Sequence, residues 1–274
     1  MHVSTPSKHA GQPPRPREIG RVNWLGLWTL YQKEVRRFLK VMIQTVLAPV
    51  VTTLLFLAIF TLAVGRAIDL GGSIGFAEFL APGLVIMTVM QNAFQNTAST
   101  IMIGKVQGNI VDVLMPPLGP GELLAAFAGG GVTRGILVGL TTGTVMHFAV
   151  GFAFTNVLIA LGFLLAAALA MSFLGVLAGL WAEKFDQLAT VTNFVIQPLA
   201  FLSGTFYSTD RLPGIWNDLA HLNPLFYMID GFRHGMIGWS DTDPWIGALV
   251  LLGTNVFLAL LCLRLLSTGY RIKP

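Results

Sequence analysis

The side chains of this 274-residue chain that could do chemistry are few and mostly neutral. No G-x-x-x-x-G-K-[ST] loop is present, so the chain has no phosphate cradle of that kind and is not expected to hydrolyse ATP by that route. Its five histidines are scattered without ligand spacing, and no metal site is expected. Asp230 and His234 fall four residues apart, but no evident nucleophile stands beside them to complete an acid–base site. What remains is amides, hydroxyls and one isolated guanidinium. Thr88, Gln91, Asn92, Gln95, Asn96 and Ser99 share one helical face; Thr190, Asn193 and Gln197 share another. Arg134 is the one Lys, Arg, Asp or Glu placed deep within an apolar run. Groups of this kind bind and position; they do not break bonds.

The elements that must hold them are set by composition. At 54% hydrophobic and 11% charged residues the chain is too apolar for an ordinary soluble domain, and an all-α polytopic membrane protein is expected. The net charge of +4 suits loops that orient a membrane protein better than nucleic-acid binding, because the basic residues flank apolar spans. The single cysteine, Cys262, lies inside such a span and allows no disulfide within the chain. Six runs are long enough to cross a hydrocarbon core of roughly 30 Å: Thr45–Val64, Phe79–Thr100, Leu123–Val150, Asn156–Trp181, Leu188–Tyr207 and Trp245–Leu266. With the N-terminus inside, the outer segments hold only Arg66, Arg211 and Arg233, against Asp69, Glu78, Asp210, Asp218, Asp230, Asp241 and Asp243. That asymmetry predicts both termini in the cytoplasm.

Amides facing lipid would keep unsatisfied donors, so the two polar stripes must look inward, either bonding each other or lining a wet path. Gln91, Asn92, Gln95, Asn193, Gln197 and Arg134 are the candidate pathway residues, although Arg134 could equally bond an amide of the second span. Pro198 removes a backbone bond beside Gln197 and should bend the fifth span. In the third span Gly131, Gly135, Gly139 and Gly143 recur every four residues, which predicts close packing against a neighbouring helix.

Three segments lie outside the spans. Residues 1–22 are rich in Pro, Ser, Lys and Arg and read as a mobile cytoplasmic tail, with no signal-peptide pattern. Residues 23–43 read as an amphipathic helix along the inner membrane surface, with Trp24, Trp28, Tyr31, Val35, Phe38 and Met42 in one stripe. Its basic residues, Lys33, Arg36, Arg37 and Lys40, stand opposite, so Trp24, Trp28, Arg36 and Arg37 are the candidate interfacial anchors; a helix packed on another protein would look similar. Residues 104–118 place Val106, Ile110, Val113 and Leu114 at helical spacing among Lys105, Gln107, Asn109 and Asp112, before Pro116 and Pro117 stop the helix. A short helix with an apolar side free to dock is expected there. Within 44–274, the outer segment 208–243 reads as two short helices dipping into the outer leaflet, the second opened by Asn223 and Pro224. Tyr227 belongs at the outer interface, and Asp230 and Arg233 are spaced to pair on one face, as a structural ion pair or a cargo contact.

Together these pieces resemble the permease subunit of type 2 ATP-binding-cassette (ABC-2) exporters, from Trp24 to Arg271. The stretches that carry the likeness are Asn109–Pro117 (NIVDVLMPP), Gly129–Gly135 (GGGVTRG), Pro198–Phe206 (PLAFLSGTF) and Asn223–Arg233 (NPLFYMIDGFR). The likeness is strongest to the YadH-like branch, near the nodulation-factor and daunorubicin exporter permeases. The resemblance implies a bacterial inner-membrane permease that works as a dimer, a homodimer being expected, with the turn at 104–118 as a coupling helix. It also implies a soluble ATPase as partner in two copies, with ATP and Mg bound there and no cofactor on this chain. An amphipathic drug, a lipid or a lipid-linked saccharide is the implied cargo. The alternative is an ion-coupled secondary carrier or an intramembrane enzyme, which would want membrane-embedded carboxylates that the spans do not supply.

Overall fold

A computed structural model describes residues 20–63, 65, 74–209 and 212–271. The tail expected at 1–22 lies outside the described residues as far as residue 19, as do Arg66, Asp69, Asp210, Arg211 and Lys273. The described residues are helical, without strands. In chain order the helices are α1 (Trp24–Leu39), α2 (Ala48–Ala63), α3 (Phe76–Val106), α4 (Ile110–Leu114), α5 (Pro120–Val150) and α6 (Val157–Trp181). They are followed by α7 (Phe185–Val191), α8 (Gln197–Leu202), α9 (Ile215–Leu222), α10 (Pro224–Ile237) and α11 (Pro244–Thr268).

Among the described residues five helices are long and apolar enough to cross a membrane: Ile43–Ala63, Phe76–Val106, Pro120–Val150, Val157–Trp181 and Pro244–Thr268. The sixth expected run, Leu188–Tyr207, is not among them. It forms a rod in three pieces, α7, a π turn at Thr192–Ile196 and α8, which ends at Leu202 and carries Asp186, Gln187, Asn193 and Gln197. Pro198 stands just after the π turn. A proline ring collides with the carbonyl four residues back and offers that carbonyl no N–H, and widening the preceding turn relieves both problems. The same device recurs at the start of the first span, where the π turn Ile43–Leu47 stands two residues before Pro49.

α3 is the axis of the bundle. Leu80 to Met90 is buried without a break, which fits a helix that is apolar nearly all round and enclosed by neighbours. The glycine ladder of α5 explains how closely it is enclosed. A Cβ on Gly131 would lie 2.8 Å from Thr97 Cγ2 and 3.0 Å from Ala93 O; on Gly135, 3.2 Å from Ala93 Cβ; on Gly139, 2.5 Å from Val89 Cγ2; on Gly143, 3.7 Å from Val85 Cγ1. The ladder therefore steps down α3 one turn at a time, with no room for a side chain over most of its length. From the other side α6 brings Gly179, where a Cβ would meet Ala98 O at 3.0 Å. α2 and α11 lie outside this core and expose Leu55, Ile59 and Leu62, and Leu249, Leu252 and Phe257, as helices bathed in lipid would.

Candidate functional site

Three polar assemblies are built on this frame. The first is a cavity of about 890 Å³ between α2, α3, α5 and the α7–α8 rod. Gln91, Asn92, Gln95, Asn193, Gln197 and Arg134 all line it, together with Thr52, Thr53 and Thr88. Gln91 Nε2 donates to Gln197 Oε1 at 3.2 Å across the cavity, and Gln95 and Asn193 are exposed. Thr53 and Thr88 hydroxyls bond at 3.0 Å, tying α2 to α3. Both π turns border this cavity, through Gln44 and Thr45 on one side and Asn193 on the other. Arg134 directs Nε and Nη2 to a single acceptor, Asn92 Oδ1, at 3.2 and 3.0 Å.

The polar stripe of α3 does not stay on one surface. Asn96 and Ser99 turn away from the cavity to Arg37, whose Nη2 donates to Asn96 O at 2.9 Å and Asn96 Oδ1 at 3.0 Å. Arg37, expected to anchor α1 in the headgroup zone, is thus drawn inward beside the fully buried Glu34, at 3.4 Å. The aromatic stripe of α1 also divides: Trp24 and Trp28 are exposed, whereas Phe38 is buried; Arg36, opposite, is exposed. Helical spacing alone did not reveal this, because α1 is covered by α5 along the face of Leu30, Glu34 and Phe38. The cue that was available is Glu34 itself, an acid in the middle of a basic helix.

The second assembly is the turn after α3. A single helix over 104–118 was expected. Instead α3 runs on to Val106, Gly108 reverses the chain at a positive φ of 75°, and α4 covers only five residues before Pro116. Lys105, Ile110 and Val113 do not belong to a free face. Lys105 Nζ donates to the carbonyls of Leu180 at 2.9 Å and Gly179 at 3.3 Å and to that of Ala182, closing the C-terminus of α6. Ile110 and Val113 are 4% and 8% exposed, packed into the chain's own core. The apolar side chains that do face outward are Val106, Val111 and Met115, at 53%, 45% and 76% exposure, with Asp112 beside them and Leu114 half-buried. Asn109 is exposed and donates to Gln107 Oε1. Glu122, which the sequence reading passed over, pins this turn to α1: its Oε1 accepts from Asn23 N and its Oε2 from Gly119 N, while Asn23 Nδ2 donates to Pro117 O at 3.2 Å.

The third assembly is at the opposite end of the bundle, around α10. Asp230 and Arg233 are both 1% exposed, but they form no direct ion pair. Asp230 accepts from Asp241 N (2.8 Å), Thr242 N (3.0 Å) and Thr242 Oγ1 (2.7 Å), holding the turn before α11. Arg233 Nη2 donates to Gly204 O at 2.7 Å, and its guanidinium lies 3.9 Å from the centre of the Phe79 ring. Asp241 in turn accepts from Thr209 N and the Ser208 and Thr209 hydroxyls. The expected i,i+3 pair is thus replaced by two clamps on different loops, because each side chain finds backbone groups that need a partner. Burial raises the Asp230 pKa; the Asp241 N–H, the Thr242 hydroxyl and the Arg233 charge pull it back. Tyr227 packs near Gly247 of α11, and α9 presents Ile215, Trp216 and Leu222 outward.

Comparison with known proteins agrees with this arrangement. Residues 26–237 match the family model described as ABC-2 type transporter. The chain is 37% identical over 251 residues to the inner membrane transport permease YadH of Escherichia coli (strain K12), covering 91% of this chain and 98% of that one. It is 28% identical over 239 residues to nodulation protein J of Rhizobium leguminosarum bv. trifolii, covering 85% and 88%. To nodulation protein J of Rhizobium meliloti (strain 1021) it is 22% identical over 217 residues, covering 79% and 82%. Several apolar helices of spanning length and a relative named for the inner membrane describe a multi-pass inner-membrane protein. The chain belongs to the ABC-2 type transporter family.

Proposed function

We propose that the chain is the membrane permease of an ATP-driven exporter, working as a dimer, with hydrolysis on a separate soluble ATPase in two copies. The observation that carries this reading is the cavity, onto which the exposed amides Gln95 and Asn193 open beside Gln91, Asn92, Gln197 and Arg134. Lipid cannot satisfy them, so a second copy facing the first would enclose a wet path between them. The α7–α8 rod then completes a sixth crossing, α10 is re-entrant from the outer side, α1 lies along the inner surface, and both termini are cytoplasmic. At the inner end the ATPase docks on the turn at 104–118, through Val106, Val111 and Met115 with Asn109, Asp112 and Leu114, because these are the side chains left uncovered. Movement of that turn reaches the cavity along α3, and Glu122 carries the same movement to α1.

The carrier alternative finds little to work with, since the lining of the cavity includes no carboxylate among the described residues. Reconstitution in liposomes with and without a co-expressed nucleotide-binding subunit tests the proposal. Vanadate-sensitive, cargo-stimulated ATP hydrolysis is expected only with both proteins present. Uptake driven by a proton gradient with this chain alone would overturn it.

A further inference from the structure

We propose that the cavity selects amphipathic anions, Arg134 taking an acidic headgroup and the wall of Phe56, Leu84, Met87 and Phe201 taking the tail. This rests on the reading of the cavity as the translocation path and adds the class of ligand that it takes. Arg134 is the only charged side chain in the lining among the described residues. The ion pairs among the described residues are Arg37 with Glu34 and Arg271 with Glu183, and neither involves it. A guanidinium carries five N–H donors in a fixed fork that matches a phosphate, sulfate or carboxylate. Here Nε and Nη2 converge on one amide oxygen of Asn92, and Nη1 bonds nothing among the described residues. Arg37, of the same sign, is itself paired with Glu34 at 3.4 Å and supplies no counter-charge.

A half-buried cation with donors to spare and no ion-pair partner among the described residues is short of a counter-charge, and an anionic ligand supplies one. The same field opposes a cationic head. A cavity of about 890 Å³ with apolar and amide walls is large enough for a drug-sized amphipath. The acidic head could belong to a soluble amphiphile or to a membrane lipid; the recognition chemistry is shared.

The test uses the full-length protein in phosphatidylcholine nanodiscs, with dodecyl phosphate, dodecyl maltoside and dodecyltrimethylammonium added below their micellar concentrations. Dodecyl phosphate is expected to bind saturably and at least about tenfold more tightly than the other two. Arg134→Gln should abolish the preference. So should Asn92→Asp, which gives the guanidinium an internal partner and keeps the side-chain volume should Arg134→Gln fail to fold. Phosphatidylglycerol in the disc should weaken dodecyl phosphate binding in the wild type if the lipid is the natural occupant, and leave it unchanged if a soluble amphiphile is. Inorganic phosphate alone should bind far more weakly. Equal binding of the three probes, a preference that survives both variants, or no binding by any probe would overturn the proposal. Cargo-stimulated ATPase activity with the partner subunit, measured on the same samples, reports separately whether the path reading stands.

Discussion

Arg134 and Arg233 both lie within the bundle without a direct ion pair among the described residues, yet Arg233 is buried and Arg134 half-buried at the edge of a cavity. Arg233 is closed in: a ring lies against its face, a backbone carbonyl accepts from Nη2, and the carboxylates of Asp230 and Asp241 are near enough to favour its charge. Arg134 has one amide oxygen and an open cavity for company. The first arrangement joins the α8, α10 and α11 loops into one block; the second leaves binding capacity unused. Arg233 Nε is itself buried without a hydrogen-bond partner among the described residues, so enclosure rather than a full set of satisfied donors marks the difference. A charge walled in by a ring and carboxylates holds structure together, and one that faces a cavity is available to a ligand.

The largest effect should come from breaking the closed arrangement. Arg233→Gln removes the donor to Gly204 O and the cation over Phe79, and is expected to destabilise the protein by about 3 kcal/mol, measured as loss of folded protein on titration with a denaturing detergent. Nearly as large is Ile110→Asp, which puts a carboxylate into a packed site and is expected to cost about 2–3 kcal/mol in the same assay. Met115→Asp, on the open side of the same turn, should alter stability by less than about 0.5 kcal/mol yet uncouple ATP hydrolysis from transport. If the two turn variants behaved alike, the division into a packed and a docking side would be wrong. Arg134→Gln should change stability by no more than about 1 kcal/mol, since it gives up only the contact to Asn92 Oδ1; a loss as large as that of Arg233→Gln would erase the contrast.

The smallest expected effect is on pH dependence. Burial raises the pKa of Asp230 above the unfolded value of about 3.9, so in the window between the two values the folded state binds more protons than the unfolded one. Stability present below that window should therefore fall as pH rises through the folded pKa. Asp230→Asn is expected to flatten that part of a stability–pH curve, and an unchanged slope would assign it to another group.

Much of this was legible in the residues because a membrane imposes local rules. Length and apolarity marked five spans to within a few residues, since a helix in hydrocarbon must satisfy its own backbone. The glycine ladder announced the α3–α5 contact because only a missing side chain permits that approach. The cavity amides could be named because lipid cannot satisfy them. Failures cluster where a residue has two possible neighbours. Asn96 and Asn92 are four apart on one face of α3, yet the first belongs to Arg37 and the second to Arg134. Asp230 and Arg233 were spaced to meet and instead found loops remote in sequence.

The sequence by itself determined that the chain is helical, where most of its crossings lie, which helix is pressed closest to a neighbour and which polar groups cannot face lipid. Each of these follows from composition and spacing within one segment. Only the tertiary structure decided which side of α1 and of the turn at 104–118 is covered, which arginine is closed in and which is open, and that Glu122 joins the turn to α1. Those outcomes depend on which helices meet, and a residue's spacing along its own helix specifies a face without specifying what covers it.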